Sequence, residues 1–249
     1  MRGKGLRYHK GAFEREPDAD VAADTLMGTL DMAAELARRK RSGFGLYAAA
    51  VKARRGRAPR NDAYVRSLPQ EEQARYGVAL FGDPKARGEL RLPDGQVVDY
   101  PTSGCLARAE GRVYGSSEMA TRLVYFPQAV FGQMMRRIER DKRLAIATKR
   151  WSECMRRSRA GRWPNPGALR DAVDQSLMAS GPTREVRTKE IRLAVKDLRC
   201  ASKAGVLNTY SKAFREQINS LPSATIDAIE ALLVEERRAA QRAAKLITR

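Results

Sequence analysis

Residues 141–155 read D-K-R-L-A-I-A-T-K-R-W-S-E-C-M, and residues 191–200 read I-R-L-A-V-K-D-L-R-C. In the first run Leu144, Ala147/Thr148, Trp151 and Cys154/Met155 recur at helical spacing, with arginines on the other faces. The second run belongs to a helix expected from about Thr183 to Ala204. It carries one stripe of Ile191, Ala194/Val195, Leu198 and Ser202. A second stripe, Val186, Leu193, Cys200 and Leu207, advances by seven on the opposite side. A helix that is apolar on two faces sits between neighbours, so this one is expected at the centre of the fold. The Trp151/Cys154 face is the natural cover for Cys200, and the two runs are expected to pack side by side.

Outward from this pair the chain reads as helix in most places, rich in Ala, Leu and Arg, which enter helices at little cost. Pro17-Asp18 opens a helix capped by Asp18 or Asp20, in which Leu26, Leu30, Ala33/Ala34 and Ala37 recur. Arg38 to Arg41 complement its negative end, and Gly43 stops it. Residues 43–62 are interrupted by glycine, and Arg54 to Arg60 read as a basic linker. A short helix follows Pro69, with Tyr76, Ala79 and Leu80 on its apolar face. Leu90 and Leu92, then Pro93-Asp94-Gly95, then Val97, Val98 and Tyr100 form a hairpin signal. So short a hairpin must lean on a helix.

Thr102 or Ser103 caps the next helix. Pro127 is expected to break or kink the run from Ser117, which Val130, Met134 and Ile138 continue. W-P-N-P-G at 163–167 makes a turn before a helix bearing Leu169, Val173 and Leu177. In the last helix, from Pro222-Ser223, Ile226, Leu233, Ala240 and Ile247 repeat by seven, as do Ile229 and Ala243 in a row that Glu236 breaks. The helix is expected to be an antiparallel hairpin arm packed within the chain, or else a coiled-coil partner. The expectation is a mostly α helical bundle with one small β-hairpin. It falls into three blocks: a basic arm, helix and linker (1–60), a helix–hairpin–helix unit (61–117) and a helical core (118–249).

Net charge is +19, from 48 Lys and Arg against 29 Asp and Glu. So basic a chain seeks anions such as nucleic acid, anionic lipid or acidic envelope polymers. Arg38 to Arg60 holds nine cations and no acid, and Arg136 to Arg159 holds ten cations against Glu139, Asp141 and Glu153. The candidate anion-binding residues are Arg38, Arg39, Lys40, Arg41, Arg54, Arg55, Arg57, Arg136, Arg137, Arg140, Arg143, Arg150, Arg156 and Arg157.

Catalysis finds little purchase. Asp94, Asp99 and Glu110 form no evident acid–base pair, and no phosphate-loop order of glycines is present. The one histidine, His9, lies in the arm, far from Cys105, which reads as a packing or disulfide residue. Three cysteines without a paired motif argue against a zinc site. They allow one disulfide with one free thiol, or three reduced thiols. No cofactor is implied. A-S-K-A-G-V-L-N-T-Y-S-K-A-F at 201–214 has the outline of a DNA-reading helix-turn-helix, but Ser211 stands where that unit needs a buried apolar residue. No stretch approaches the ~20 apolar residues of a membrane span. The N-terminal M-R-G-K-G-L-R-Y-H-K-G lacks a signal peptide's apolar run, so the printed sequence alone reads as cytoplasmic.

The succession S-L-P at 67–69, A-L-F-G at 79–82, L-P-D-G at 92–95, G-C-L-A at 104–107, W-S-E-C-M at 151–155 and D-L-R-C at 197–200 resembles a family of uncharacterised actinobacterial helical proteins, many secreted or lipid-anchored. The resemblance covers roughly residues 60–247 and carries no known activity. It implies that Cys154 and Cys200 occupy patterned positions as a disulfide pair, and that the protein is extracytoplasmic. The functional expectation is a non-enzymatic binding or structural protein, associated with the cell envelope, whose basic surface engages an anionic polymer or an acidic protein. The alternative is a cytoplasmic nucleic-acid-binding protein making non-specific phosphate contacts.

Overall fold

The computed structural model describes residues 6–7, 30–55 and 60–247. Within them lie eleven helices and one two-stranded antiparallel hairpin, the mostly α class with one small hairpin that the sequence pattern predicts. The helices are α1 (Met32–Ser42), α2 (Leu46–Arg55), α3 (Arg60–Arg66), α4 (Gln70–Phe81), α5 (Gly104–Tyr114), α6 (Ser117–Glu139), α7 (Lys142–Arg157), α8 (Pro166–Ser180), α9 (Arg184–Lys203), α10 (Val206–Asn219) and α11 (Ser223–Ile247). The strands are β1 (Arg87–Arg91) and β2 (Val97–Pro101). Apart from residues 6–7, the expected basic arm over 1–16 lies outside the described residues, as do the caps at Asp18 or Asp20. Spatial proximity groups the chain into two compact units, each discontinuous, and this grouping cuts across the three consecutive blocks. One unit takes residues 30–55 and 135–219, and the other takes residues 60–134 and 220–247.

In the first unit α9 is the hub, touching α1, α2, α7, α8 and α10. Thr183 caps it, accepting from the Val186 amide. Its Val186–Leu193–Cys200 stripe is buried as expected, against Trp151, Met155, Leu169, Val173 and Leu177. Cys154 and Cys200 form a disulfide with Cα atoms 5.6 Å apart. Closing a loop of this span restricts the unfolded chain and contributes about 4 kcal/mol.

The Ile191, Ala194/Val195, Leu198 and Ser202 stripe of α9 is met only in part. Ala194 and Leu198 are buried, but Ile191 is only half-buried and Ser202 is exposed, while Glu190, Asp197 and Ala201 are buried in their stead. The facing helix α1 is inverted in the same sense. Ala33, Ala34 and Ala37 are exposed, while Glu35 and Arg39 are buried. The physical reason is pairing. Arg39 donates to Glu35 at 2.7 Å, to Asp197 at 2.6 Å and to the Ala194 carbonyl at 2.9 Å. Carboxylates satisfied in this way can enter a core that lone charges cannot.

Glu190, with no exposed surface, accepts from the amides of Leu46 at 2.9 Å and Tyr47 at 3.0 Å. It thereby caps α2, which brings no capping side chain of its own. α2 thus runs to Arg55; of the basic linker expected over Arg54 to Arg60, residues 56–59 lie outside the described residues and Arg60 opens α3. Gly43 allows the approach: its φ is +64°, and a Cβ there would sit 2.7 Å from Cγ of Glu190.

In the second unit Leu90 pairs with Val98, and Gly95 closes the Pro93-Asp94-Gly95 turn, its amide reaching Leu92 O at 3.0 Å. Leu90 and Leu92 bury against Ala129 of α6, the helical support the hairpin requires. α6 does not break at Pro127. The proline is exposed, on the side where water can take up the carbonyl it leaves without a donor. α11 packs on α5, and Arg242 donates to the Val113 carbonyl at 2.6 Å, satisfying an orphan group at that helix end. The buried seam of α11 runs through Leu232 and Ala239. The Ile226–Leu233–Ala240–Ile247 row is exposed.

Candidate functional site

No group of three or more metal-ligating side chains occurs among the described residues. A shallow concavity lined by Arg184, Glu185, Thr188, Lys189 and Arg192 is formed by α9 alone and is an open surface. The property that separates the two units is charge. The disulfide-bearing unit holds 28 Lys and Arg against 11 Asp and Glu among its described residues, a net +17. Residues 60–134 and 220–247 hold 13 against 13, a net of zero.

The cations of that unit are organised most regularly on α7. Asp141 caps the helix, accepting from the Arg143 amide at 2.8 Å, and Ala147, Trp151 and Met155 point into the core. The opposite face then carries Lys142-Arg143, Lys149-Arg150 and Arg156-Arg157, all exposed. The three pairs recur every seven residues, so successive rungs are roughly 10 Å apart along one side of the helix. Ile146 and Glu153 fill the intervals. Lys142, Lys149, Arg150, Arg156 and Arg157 have no ion pair among the described residues.

Arg143 is different. It bonds Asp141 at 2.6 Å and Glu216 at 2.5 Å. The hydrogen bonds that it donates to Glu216 and Asp141 raise its pKa further and hold both carboxyls below their usual range. Arg143 thus ties α7 to α10 and has little left for an external anion.

The other candidates divide in the same way. Arg39 is a correction. It is buried among Glu35, Asp197 and the Phe44 ring, 5.5 Å from that ring's centroid, and cannot meet an outside polymer. Arg38 is half-buried and bonded to Glu35 at 2.6 Å. Burial raises the Glu35 pKa, but the hydrogen bonds from Arg38 and Arg39 outweigh it and leave the carboxyl below its usual value. Lys40 and Arg41 are exposed in the last turn of α1, where they complement the helix dipole. Arg54 is exposed on α2, with its guanidinium beside Gly181. Arg55 ends α2, and Arg57 lies outside the described residues. Arg136 and Arg137 are exposed in the last turn of α6, with Arg140 just beyond.

Lys142 and Lys149 belong to the ladder beside the candidate arginines. The sequence signal for them is K-R, K-R and R-R at intervals of seven, which shows by helix face and not in the charge of the block as a whole. No protein-family model, curated protein or solved structure matches the chain.

Proposed function

We propose that the protein is a non-enzymatic binding protein of the cell envelope, and that its disulfide-bearing unit holds an anionic polymer along α7. The observation that carries this reading is the ladder of paired cations on the solvent face of α7, within a unit of net +17. Its inner face is locked by Trp151 and the disulfide, so the cations stand on a rigid support. A row of charges at regular rise suits a polymer with regularly repeating anions better than a compact ligand. The disulfide supports an oxidising compartment, and the resemblance to secreted or lipid-anchored proteins points the same way.

The ladder also suits nucleic acid, whose backbone repeats phosphate in the same manner. Salt-dependent binding of the full chain to fluorescent poly(glycerol phosphate) and to random duplex DNA separates the readings. The envelope reading expects tight poly(glycerol phosphate) binding that weakens with salt. Lys149→Ala/Arg150→Ala/Arg156→Ala/Arg157→Ala should flatten that slope by up to one unit per lost contact, roughly 0.9 each for a DNA-like charge density. Duplex binding about tenfold tighter than poly(glycerol phosphate) binding would favour the nucleic-acid reading. Failure of both polymers to bind at low salt would sink the proposal.

A further inference from the structure

α11 carries a second, unused seam. Ile226 is 41% exposed, Leu233 50% and Ile247 84%, and Ala240 between them is also exposed. At 100° per residue these four fall in a strip about 60° wide, drifting slowly backward as a seven-residue repeat does on a straight helix. The strip lies about 100° around the helix from Leu232 and Ala239, which face α5. It is therefore separate from the intramolecular contact. Exposed rows of large apolar side chains of this kind mark association surfaces.

Two charges indicate what covers it. Glu236 and Arg237 stand at the midpoint of the strip, one on each flank, both exposed and without an ion pair among the described residues. We infer that the strip is covered by α11 of a second copy of this chain, in a parallel, twofold-symmetric pair. A twofold along the helix pair sets each flank against the opposite flank of its mate. Glu236 then meets Arg237 of the second copy, and the contact is made twice. An antiparallel pair with the same overlap would set Glu236 against Glu236 and Arg237 against Arg237. The parallel pair also places each apolar residue against its own counterpart: isoleucines at both ends, leucine on leucine, and Ala240 on Ala240, where the helices can approach closely. This dimer is independent of the polymer-binding reading and of the cations on α7.

Sedimentation of the full chain over a range of concentrations tests it. A monomer–dimer equilibrium is expected. Leu233→Glu, which places two carboxylates face to face, should raise the dissociation constant about tenfold or more. Leu233 is half-exposed, so circular dichroism should show the fold retained. Glu236→Arg should weaken the dimer, and the swap Glu236→Arg/Arg237→Glu should restore it. Ala240→Cys in a Cys105→Ser background should oxidise to a covalent dimer. A monomer at every concentration, a dimer indifferent to Leu233→Glu, or failure of the swap to restore what Glu236→Arg loses would each overturn the inference.

Discussion

Trp151 Nε1 donates to Asp197 Oδ1 at 2.9 Å, and three residues further along each helix Cys154 is bonded to Cys200. Both links span 46 residues. Stepping one turn forward on each helix preserves the partnership, so α7 and α9 run in the same direction and are joined by two rungs, one polar and one covalent. W-x-x-C and D-x-x-C are two halves of one device, which explains why their spacings match.

Asp197 also accepts from Arg39, so two buried donors depend on one carboxylate. Removing one partner of a buried ion pair strands the other. Asp197→Ala is expected to lower unfolding free energy by about 3–5 kcal/mol in urea titration. Arg39→Ala should fall in the same range, because it leaves Glu35 and Asp197 facing each other without a cation.

The disulfide should contribute about 4 kcal/mol. Cys154→Ser/Cys200→Ser, or reduction of the native protein, is expected to move the denaturation midpoint of the disulfide-bearing unit accordingly. Cys105, which takes no part in that disulfide, should leave the midpoint unchanged when replaced by serine.

Glu35 sets an acid limit. Its folded carboxyl is held below the ordinary 4.5 by Arg38 and Arg39 against the effect of burial. A carboxyl depressed on folding stabilises fully above its unfolded pKa, and this contribution is lost as pH falls through the folded value. Stability of the native protein should therefore decline below about pH 4.5. Glu35→Gln should be less stable at neutral pH and should show a shallower acid decline, read by urea titration at stepped pH.

Gly43 and Gly45 form an internal control. Both have positive φ, at +64° and +94°, but a Cβ at Gly43 meets Glu190 while one at Gly45 meets nothing within 4 Å. Alanine at either position carries the strain of a left-handed backbone, of order 1–3 kcal/mol. Thermal unfolding should show Gly43→Ala as the more harmful, because it also displaces the carboxylate that caps α2.

Much of this architecture was legible beforehand. The Val186–Leu193–Cys200 stripe, the Leu169–Val173–Leu177 face and the Pro93-Asp94-Gly95 turn each follow from a short-range pattern that local geometry enforces. The departures share one cause. Apolarity alone points to Ala33, Ala34 and Ala37 as the inner face of α1 and gives no sign of the buried Glu35, Arg39, Glu190 and Asp197. A charged side chain enters a core only when its partner arrives, and Arg39 and Glu190 each find theirs more than 140 residues away. On α11 two apolar rows compete, and only the position of α5 shows that Leu232 and Ala239 are the pair buried within the chain.

The sequence by itself determined the mostly helical class, the hairpin, the central place of α9 and the meeting of its cysteine stripe with Trp151. These depend on periodicity, which is local. Tertiary structure alone decided which charges are available. It withdrew Arg39 and Arg143 into ion pairs, left Lys142, Lys149, Arg150, Arg156 and Arg157 exposed on α7, and collected the net charge into one of two discontinuous units. Long-range pairing decides the fate of a charge, because the cost of burying it depends on what it meets.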